Sequence, residues 1–347
     1  MEPETEKLKR AVLWEPSSGQ DGKVRCKLCN WRCTVDDGKL GRCAVRKNIA
    51  GVLYSLNYDK VCSANPDPIE KKPLFHFQPG SRSFSVATMG CNFRCEFCQN
   101  WQISQAAIEA GRIDGEPIAP EQIVGAAVRS GCKSIAYTYT EPTIFMELCN
   151  DCGRLAREKG LANVFVSNGY MTREALDFAG VWLDGINVDL KAFSEDYYRR
   201  LCKARLQPVL DTIVYIARET DIWLEITTLL VPGENDSDEE LRKVADFLVS
   251  KAGADVPWHI SRFHPQYKYL DSVPTPISSL ERAGEIGRQA GLHYIYLGNV
   301  PGAKAESTFC YNCGRLLIER VGYRILANHI ENSSCPDCGR EIAGFEL

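Results

Sequence analysis

The sequence predicts an α/β fold, a partial or complete (β/α) TIM-type barrel with small cysteine-rich segments at its two ends. Three observations carry this. From about residue 73 to 300, strand-like apolar runs alternate with helical patterns, the order expected of parallel β/α units. Sixteen cysteines gather in short spacings, many near the two ends of the chain. The 347 residues, 44% hydrophobic and 25% charged, have an ordinary globular composition and suffice for one large barrel with small additions.

In chain order, the first segment is residues 1–72, rich in cysteine and poor in long periodic elements. The barrel strands are expected at 84–89, 134–139, 164–167, 185–190, 223–231, 258–263 and 294–297. Helices are expected between them at 120–131, 143–160, 173–179, 206–219, 237–252 and 277–290. Pro120 opens the first of these helices and Gly131 closes it, while Gly160 and Gly291 close two others, following the usual start and stop chemistry. The barrel segment is therefore 73–300, and 301–347 is a third, cysteine-bearing segment.

The formal net charge of −4 gives no basic excess, so nothing suggests electrostatic binding of nucleic acid. The charged start, Met1-Glu2-Pro3-Glu4-Thr5-Glu6, lacks the apolar stretch of a signal peptide. No apolar run approaches the roughly 18 residues of a membrane span. Clustered Cys-x2-Cys spacings without a secretion signal read as metal ligands in a reducing compartment. The expected location is the cytoplasm.

Chemistry concentrates in Cys91-Asn92-Phe93-Arg94-Cys95-Glu96-Phe97-Cys98, a Cys-x3-Cys-x2-Cys run just after the first barrel strand and Gly90. Thiolates at such spacings hold iron–sulfur clusters. Three of them leave one iron of a [4Fe-4S] cluster without a protein ligand, and an open metal position is where a substrate binds. Cys95-x2-Cys98 alone would also suit a zinc knuckle. The strand-then-loop context favours the cluster.

Two further cysteine sets stand apart. Cys310-x2-Cys313-Gly and Cys335-x2-Cys338-Gly are separated by 21 residues and read as a zinc ribbon that folds the tail, with an auxiliary iron–sulfur cluster as the alternative. Cys26, Cys29, Cys33 and Cys43 lie within 18 residues; zinc is the favoured reading, with a second cluster as the alternative, since soft thiolate sites accept both. Cys149 and Cys152, inside an expected helix, read as small buried residues. His264 follows the sixth strand and His76 precedes the first; neither receives a role.

The run Cys91–Cys98 resembles the cluster loop of radical S-adenosylmethionine (SAM) enzymes. The resemblance implies a [4Fe-4S] cluster whose open iron chelates SAM, reductive cleavage to a 5'-deoxyadenosyl radical, and hydrogen abstraction from a substrate. Phe97 matches the aromatic residue that flanks adenine in that family. Glu141-Pro142 matches the end of its Gly-Gly-Glu-Pro-like run, with Tyr139-Thr140 where the glycines stand. Ser167-Asn168-Gly169 is similar to its turn near the ribose, with Gly169 expected at positive φ. Asp189-Leu190-Lys191 resembles the Asp-x-Lys motif of activating enzymes for glycyl radical proteins such as pyruvate formate-lyase. There the lysine pairs with the SAM carboxylate, and alternation along a strand puts acid and base on one side.

With Asp67–Phe77 and the N-terminal cysteines, the pattern is similar to the AmmeMemoRadiSam group, often labelled pyruvate formate-lyase-activating-enzyme-like. That resemblance implies a low-potential electron donor such as flavodoxin or ferredoxin. It also implies AMMECR-type and Memo-type partners but names no substrate; the Asp189-Leu190-Lys191 motif makes a glycine Cα–H of a partner protein the expectation. Competing expectations are radical modification of a small molecule or of a non-glycyl protein or RNA. A zinc-ribbon interaction or RNA-binding protein without chemistry is the expectation from another class.

Overall fold

The computed structural model describes residues 8–19, 22–300 and 304–347. By contacts the chain divides into two compact units: 1–66 with 83–184, and 67–82 with 185–347.

The first unit begins with two small antiparallel sheets. One joins β1 (Lys9–Arg10) through β6 (Val52–Ser55) to β5 (Arg46–Ile49), and the other joins β2 (Trp14–Pro16), β3 (Val24–Cys26) and β4 (Thr34–Val35). Beyond β7 (Lys60–Pro68) come β8 (Arg82–Thr88), β9 (Glu116–Pro117), β10 (Ser134–Tyr137) and β11 (Ala162–Ser167). Strand β10 is the parallel centre, with Ser134 opposite Ser83 on one side and Ala162 on the other. Every residue of β10, and all of β8 after Arg82, is buried, as expected of parallel strands covered on both faces. Helices α1 (Trp101–Ser104) and α2 (Ala106–Glu109) follow the first barrel strand. The longer α3 (Pro120–Arg129), α4 (Met146–Glu158) and α5 (Arg173–Ala179) connect the others. Pro120 starts α3, where a missing N–H costs nothing. Thr172 caps α5 by accepting the Ala175 N–H at 3.1 Å.

The second unit carries four parallel strands in order: β12 (Gly185–Asp189), β13 (Trp223–Leu230), β14 (Trp258–Arg262) and β15 (Ile295–Gly298). Helices α6 (Gln207–Glu219), α7 (Asp238–Phe247) and α8 (Ile277–Ala290) separate them. Ser237 caps α7 through the Glu240 N–H, and its first turn holds Asp238, Glu239 and Glu240, a favourable charge at the positive end of the helix dipole. The three-stranded ribbon β16 (Thr308–Phe309), β17 (Leu316–Val321) and β18 (Arg324–Asn328) ends the chain. The α/β class, the parallel strands and their alternation with helices are as expected. The helix expected at 143–160 opens as a 3-10 turn, Pro142–Phe145, and the one at 237–252 finishes as a π turn, Leu248–Ala252. Among the described residues no helix is long and apolar enough to cross a membrane.

The ribbon is tied into the core of the second unit. Arg320 of β17 is buried over the Phe75 ring, 4.6 Å from its centroid, and donates to the Phe75 carbonyl at 2.8 Å. His76 is fully buried: Nδ1 lies 2.6 Å from the Ala343 carbonyl and Nε2 2.5 Å from the Tyr296 hydroxyl. Burial pushes the imidazole pKa down to about 4, against about 6.5 in an unfolded chain. The unfolded chain therefore takes up the proton first. The contribution is fully present above pH 6.5 and is lost as pH falls toward 4, about 2 kcal/mol being gone by pH 5. Urea unfolding at pH 7 and pH 5 should show this loss in the wild type and much less of it in His76→Gln. An equal pH dependence in the two proteins would contradict it.

Candidate active site

Strand β8 ends at a point that only glycine fits. Gly90 has φ +111°, and a Cβ there would stand 2.8 Å from Val45 Cγ1 and 2.9 Å from Ile144 Cδ1. Immediately after it the chain turns outward into the three-cysteine loop. The Phe93 N–H donates to Cys91 Sγ at 3.3 Å, the Cys98 N–H to the Cys95 carbonyl at 3.3 Å, and Cys98 Sγ lies 3.2 Å from Ser104 Oγ on α1. The Arg94 guanidinium clamps the carbonyls of Cys91 and Phe93, each at 3.0 Å. Trp31 from the N-terminal region donates to the Asn92 carbonyl at 2.9 Å. Cys95 is buried, and Cys91 and Cys98 are partly so.

The tips of β10 and β11 converge on this loop. Asn168, following β11, donates through Nδ2 to Asn92 Oδ1 at 2.7 Å, and the same nitrogen is 3.9 Å from Cys91 Sγ. Glu141 organises the turn itself. Its carboxylate accepts the Thr143 N–H at 3.1 Å, the Thr143 hydroxyl, the Ser167 hydroxyl at 2.8 Å and the Asn168 N–H at 2.8 Å. Burial raises its pKa, and those hydrogen bonds oppose the shift. Glu141 is only 1% exposed, so its carboxylate is spent on holding Ser167 and Asn168 in place.

Tyr139, where the resemblance has glycine, adopts φ +67°. A non-glycine residue in this left-handed region costs on the order of 1 kcal/mol. The conformation is held in part by Asn100, whose Nδ2 donates to the Tyr139 carbonyl at 2.8 Å. The chain thus keeps the glycine-like path with a tyrosine. Gly169 takes φ +68°, as expected.

Cys91, Cys95, Cys98, Glu141, Ser167 and Asn168 therefore lie together in the first unit. Phe97 is buried there at 2% exposure. Asp189 and Lys191 lie in the second unit, at the carboxyl end of β12, with Lys191 Nζ 3.0 Å from Asp189 Oδ2. Asn235 of the turn after β13 donates to the Lys191 carbonyl at 2.6 Å. His264 is exposed. Asn92 escaped sequence reasoning because its role depends on Asn168, 76 positions away. Only its place beside Cys91 in the three-cysteine run pointed to it.

The donor chemistry fits an iron–sulfur cluster. Burial, then the charges of Glu141 and Cys95, raise the Cys91 thiol pKa, so metal binding has to drive its proton off. Among the described residues these three sulfurs are not part of a group gathered within 4.8 Å as for a single ion, and three thiolates at this short spacing are ligands of the kind that iron–sulfur clusters use. The ribbon cysteines differ. Cys310, Cys313, Cys335 and Cys338 have their sulfurs mutually within 4.8 Å, with two pairs at 3.7 and 3.6 Å. Four sulfurs bound tetrahedrally to one ion at zinc's bond length stand about 3.8 Å apart. Gly314 and Gly339 close the two knuckles, donating to the carbonyls of Cys310 and Cys335 at 2.8 and 2.9 Å.

Comparison with known proteins agrees with this geometry. Residues 85–248 match the model of the radical SAM superfamily. An uncharacterized protein of Methanocaldococcus jannaschii is 46% identical over 96% of this chain and 99% of its own. A second protein of that organism, provisionally named as a glycyl-radical enzyme activating enzyme, is 28% identical over 63% of this chain and 80% of its own. Pyruvate formate-lyase-activating enzyme of Listeria monocytogenes is 27% identical over 49% and 70%. Among solved structures, a radical SAM methyltransferase from Sphaerobacter thermophilus shares the fold, with TM-score 0.51 and 17% identity over 69% of this chain and 71% of that one. With the three-cysteine loop at the end of a buried parallel strand, these matches make the chain a member of the radical SAM superfamily and an enzyme of that class.

Proposed function

We propose that this enzyme abstracts hydrogen from a glycine of a partner protein, as an activase in the manner of the pyruvate formate-lyase activating enzymes, and that it belongs to the AmmeMemoRadiSam group. The observation that carries the substrate reading is Asp189–Lys191, an Asp-x-Lys pair formed at the carboxyl end of β12. Relatives named as activating enzymes support it. When bound, the cluster and SAM supply the radical chemistry. Cys91, Cys95 and Cys98 are assigned to the cluster, and Phe97, Ser167 and Asn168 to the adenosyl side of SAM. Glu141 is assigned to the methionine end, acting through the turn that it holds, and Lys191 to the SAM carboxylate, oriented by Asp189. Burial of Cys95, Phe97 and Asn168 keeps water from the reacting atoms. Zinc is assigned to the ribbon cysteines. A low-potential one-electron donor, flavodoxin or ferredoxin, and AMMECR-type and Memo-type proteins are the proposed partners.

The test is anaerobic incubation of reconstituted enzyme, SAM and reductant with each candidate partner, followed by EPR. A glycyl-radical signal on a partner, formed in proportion to 5'-deoxyadenosine, is expected. Active cleavage of SAM with no such signal on any partner would reject the glycine substrate.

A further inference from the structure

We infer that Cys26, Cys29, Cys33 and Cys43 bind a second [4Fe-4S] cluster rather than zinc. The chain holds three clustered sets of cysteines, and they sort by spacing. In the ribbon the four sulfurs are drawn together, with pairs at 3.6 and 3.7 Å, as one tetrahedral ion requires. Among the described residues that is the one group of three or more candidate ligands whose donor atoms lie mutually within 4.8 Å. No three of the N-terminal sulfurs do so, and neither do those of Cys91, Cys95 and Cys98. The N-terminal set, like the loop of Cys91, Cys95 and Cys98, thus lacks the close grouping that one tetrahedral ion requires.

The four cysteines, with Leu28, Val35 and Ile144, wall one small cavity. Three of the four cysteines are buried, and the cavity walls are largely apolar.

The polar groups that do reach the sulfurs are donors. Arg46 Nη1 lies 3.4 Å from Cys26 Sγ, and the Arg42 N–H lies 3.5 Å from Cys33 Sγ. Hydrogen bonds of this kind to ligating sulfur tune iron–sulfur centres. Arg46 is itself buried and held in place by its ion pair with Glu147, so its Nη1 donor is fixed toward Cys26. The site is also built against the catalytic loop. Arg94 donates to the Arg42 carbonyl, and a Cβ on Gly90 would lie 3.4 Å from the Cys43 carbonyl.

The experiment uses the full chain with Cys91, Cys95 and Cys98 all replaced by alanine, reconstituted anaerobically with iron and sulfide. It should keep about four iron and four sulfide per chain. On reduction it should give an iron–sulfur EPR signal that SAM does not shift, because every iron has a cysteine. Adding Cys29→Ala to this variant should remove both the iron and the signal. Zinc in place of iron in the triple variant would overturn the inference, as would a cluster that survives the Cys29→Ala change. The wild-type protein gives an independent count: about eight iron and one zinc per chain support the inference, and about four iron with two zinc overturn it. The SAM-shifted signal of a Cys26→Ala/Cys29→Ala protein reports on the catalytic cluster alone, so failure of the radical SAM assignment would be seen separately.

Discussion

Cys95→Ala should abolish 5'-deoxyadenosine formation, a fall of at least about a thousandfold, while leaving the chain folded. Cys95 is the middle cysteine of the run, assigned above to the cluster, and is 8% exposed. Two thiolates from one loop cannot retain a cluster that already lacks a fourth protein ligand. The fold should survive because the Cys95 carbonyl, which an alanine keeps, accepts the Cys98 N–H in the turn. The Gly90 packing and the Asn92–Asn168 hydrogen bond also lie outside the substituted side chain. The assay is anaerobic, with SAM and dithionite, and reads the nucleoside by mass beside thermal unfolding by circular dichroism. Nucleoside at the wild-type rate from a folded Cys95→Ala protein would remove this loop from the chemistry.

Glu225→Ala is expected to have the largest effect on stability. Glu225 is fully buried on β13 and accepts four donors: the Phe75 N–H at 3.0 Å, the His76 N–H at 2.8 Å, Trp223 Nε1 at 2.9 Å and His259 Nε2 at 2.6 Å. Burial alone would push its pKa up; the hydrogen bond and charge of His259 outweigh this and hold it below the usual carboxylate value. A depressed carboxylate adds stability above its unfolded pKa, about 4.3, and loses it as pH falls through the folded value. Alanine leaves all four donors without their acceptor. At about 1–3 kcal/mol for each stranded buried group, and allowing for non-additivity, the loss is on the order of 5 kcal/mol. That equals the whole stability of many domains. Glu225→Gln, which keeps one acceptor oxygen but introduces a competing donor, should lie between the two. Urea unfolding followed by circular dichroism measures both variants. A shift below about 1 kcal/mol for Glu225→Ala would deny the hub its role.

The barrel strands were legible because buried parallel strands carry apolar side chains on both faces and so read as short apolar runs. Each expected barrel strand overlaps an observed one, from β8 to β15. The helices announced themselves through Pro120, Gly131, Gly160 and Gly291. The N-terminal sheets were not legible. Strands of two to four residues such as β1 to β6 are too short to display a period of two. The Glu225 hub was equally hidden, since it joins residues 150 positions apart, and no local pattern marks a glutamate that will be buried. At residue 139 the sequence has a tyrosine where the resemblance has glycine. The structure keeps a positive φ there with a tyrosine, supported in part by the Asn100 hydrogen bond to the Tyr139 carbonyl.

The way the chain is shared between its two units limits how this enzyme can be inherited or rebuilt in pieces. The superfamily match, 85–248, is not a transplantable cassette. Cut at those borders, it would forfeit Val45, which fills the space beside Gly90. It would also forfeit the 67–82 segment, whose Phe75 and His76 N–H groups engage Glu225. Strands β14 and β15 would be left behind as well. A fragment cut at those borders should therefore be less stable than the whole chain.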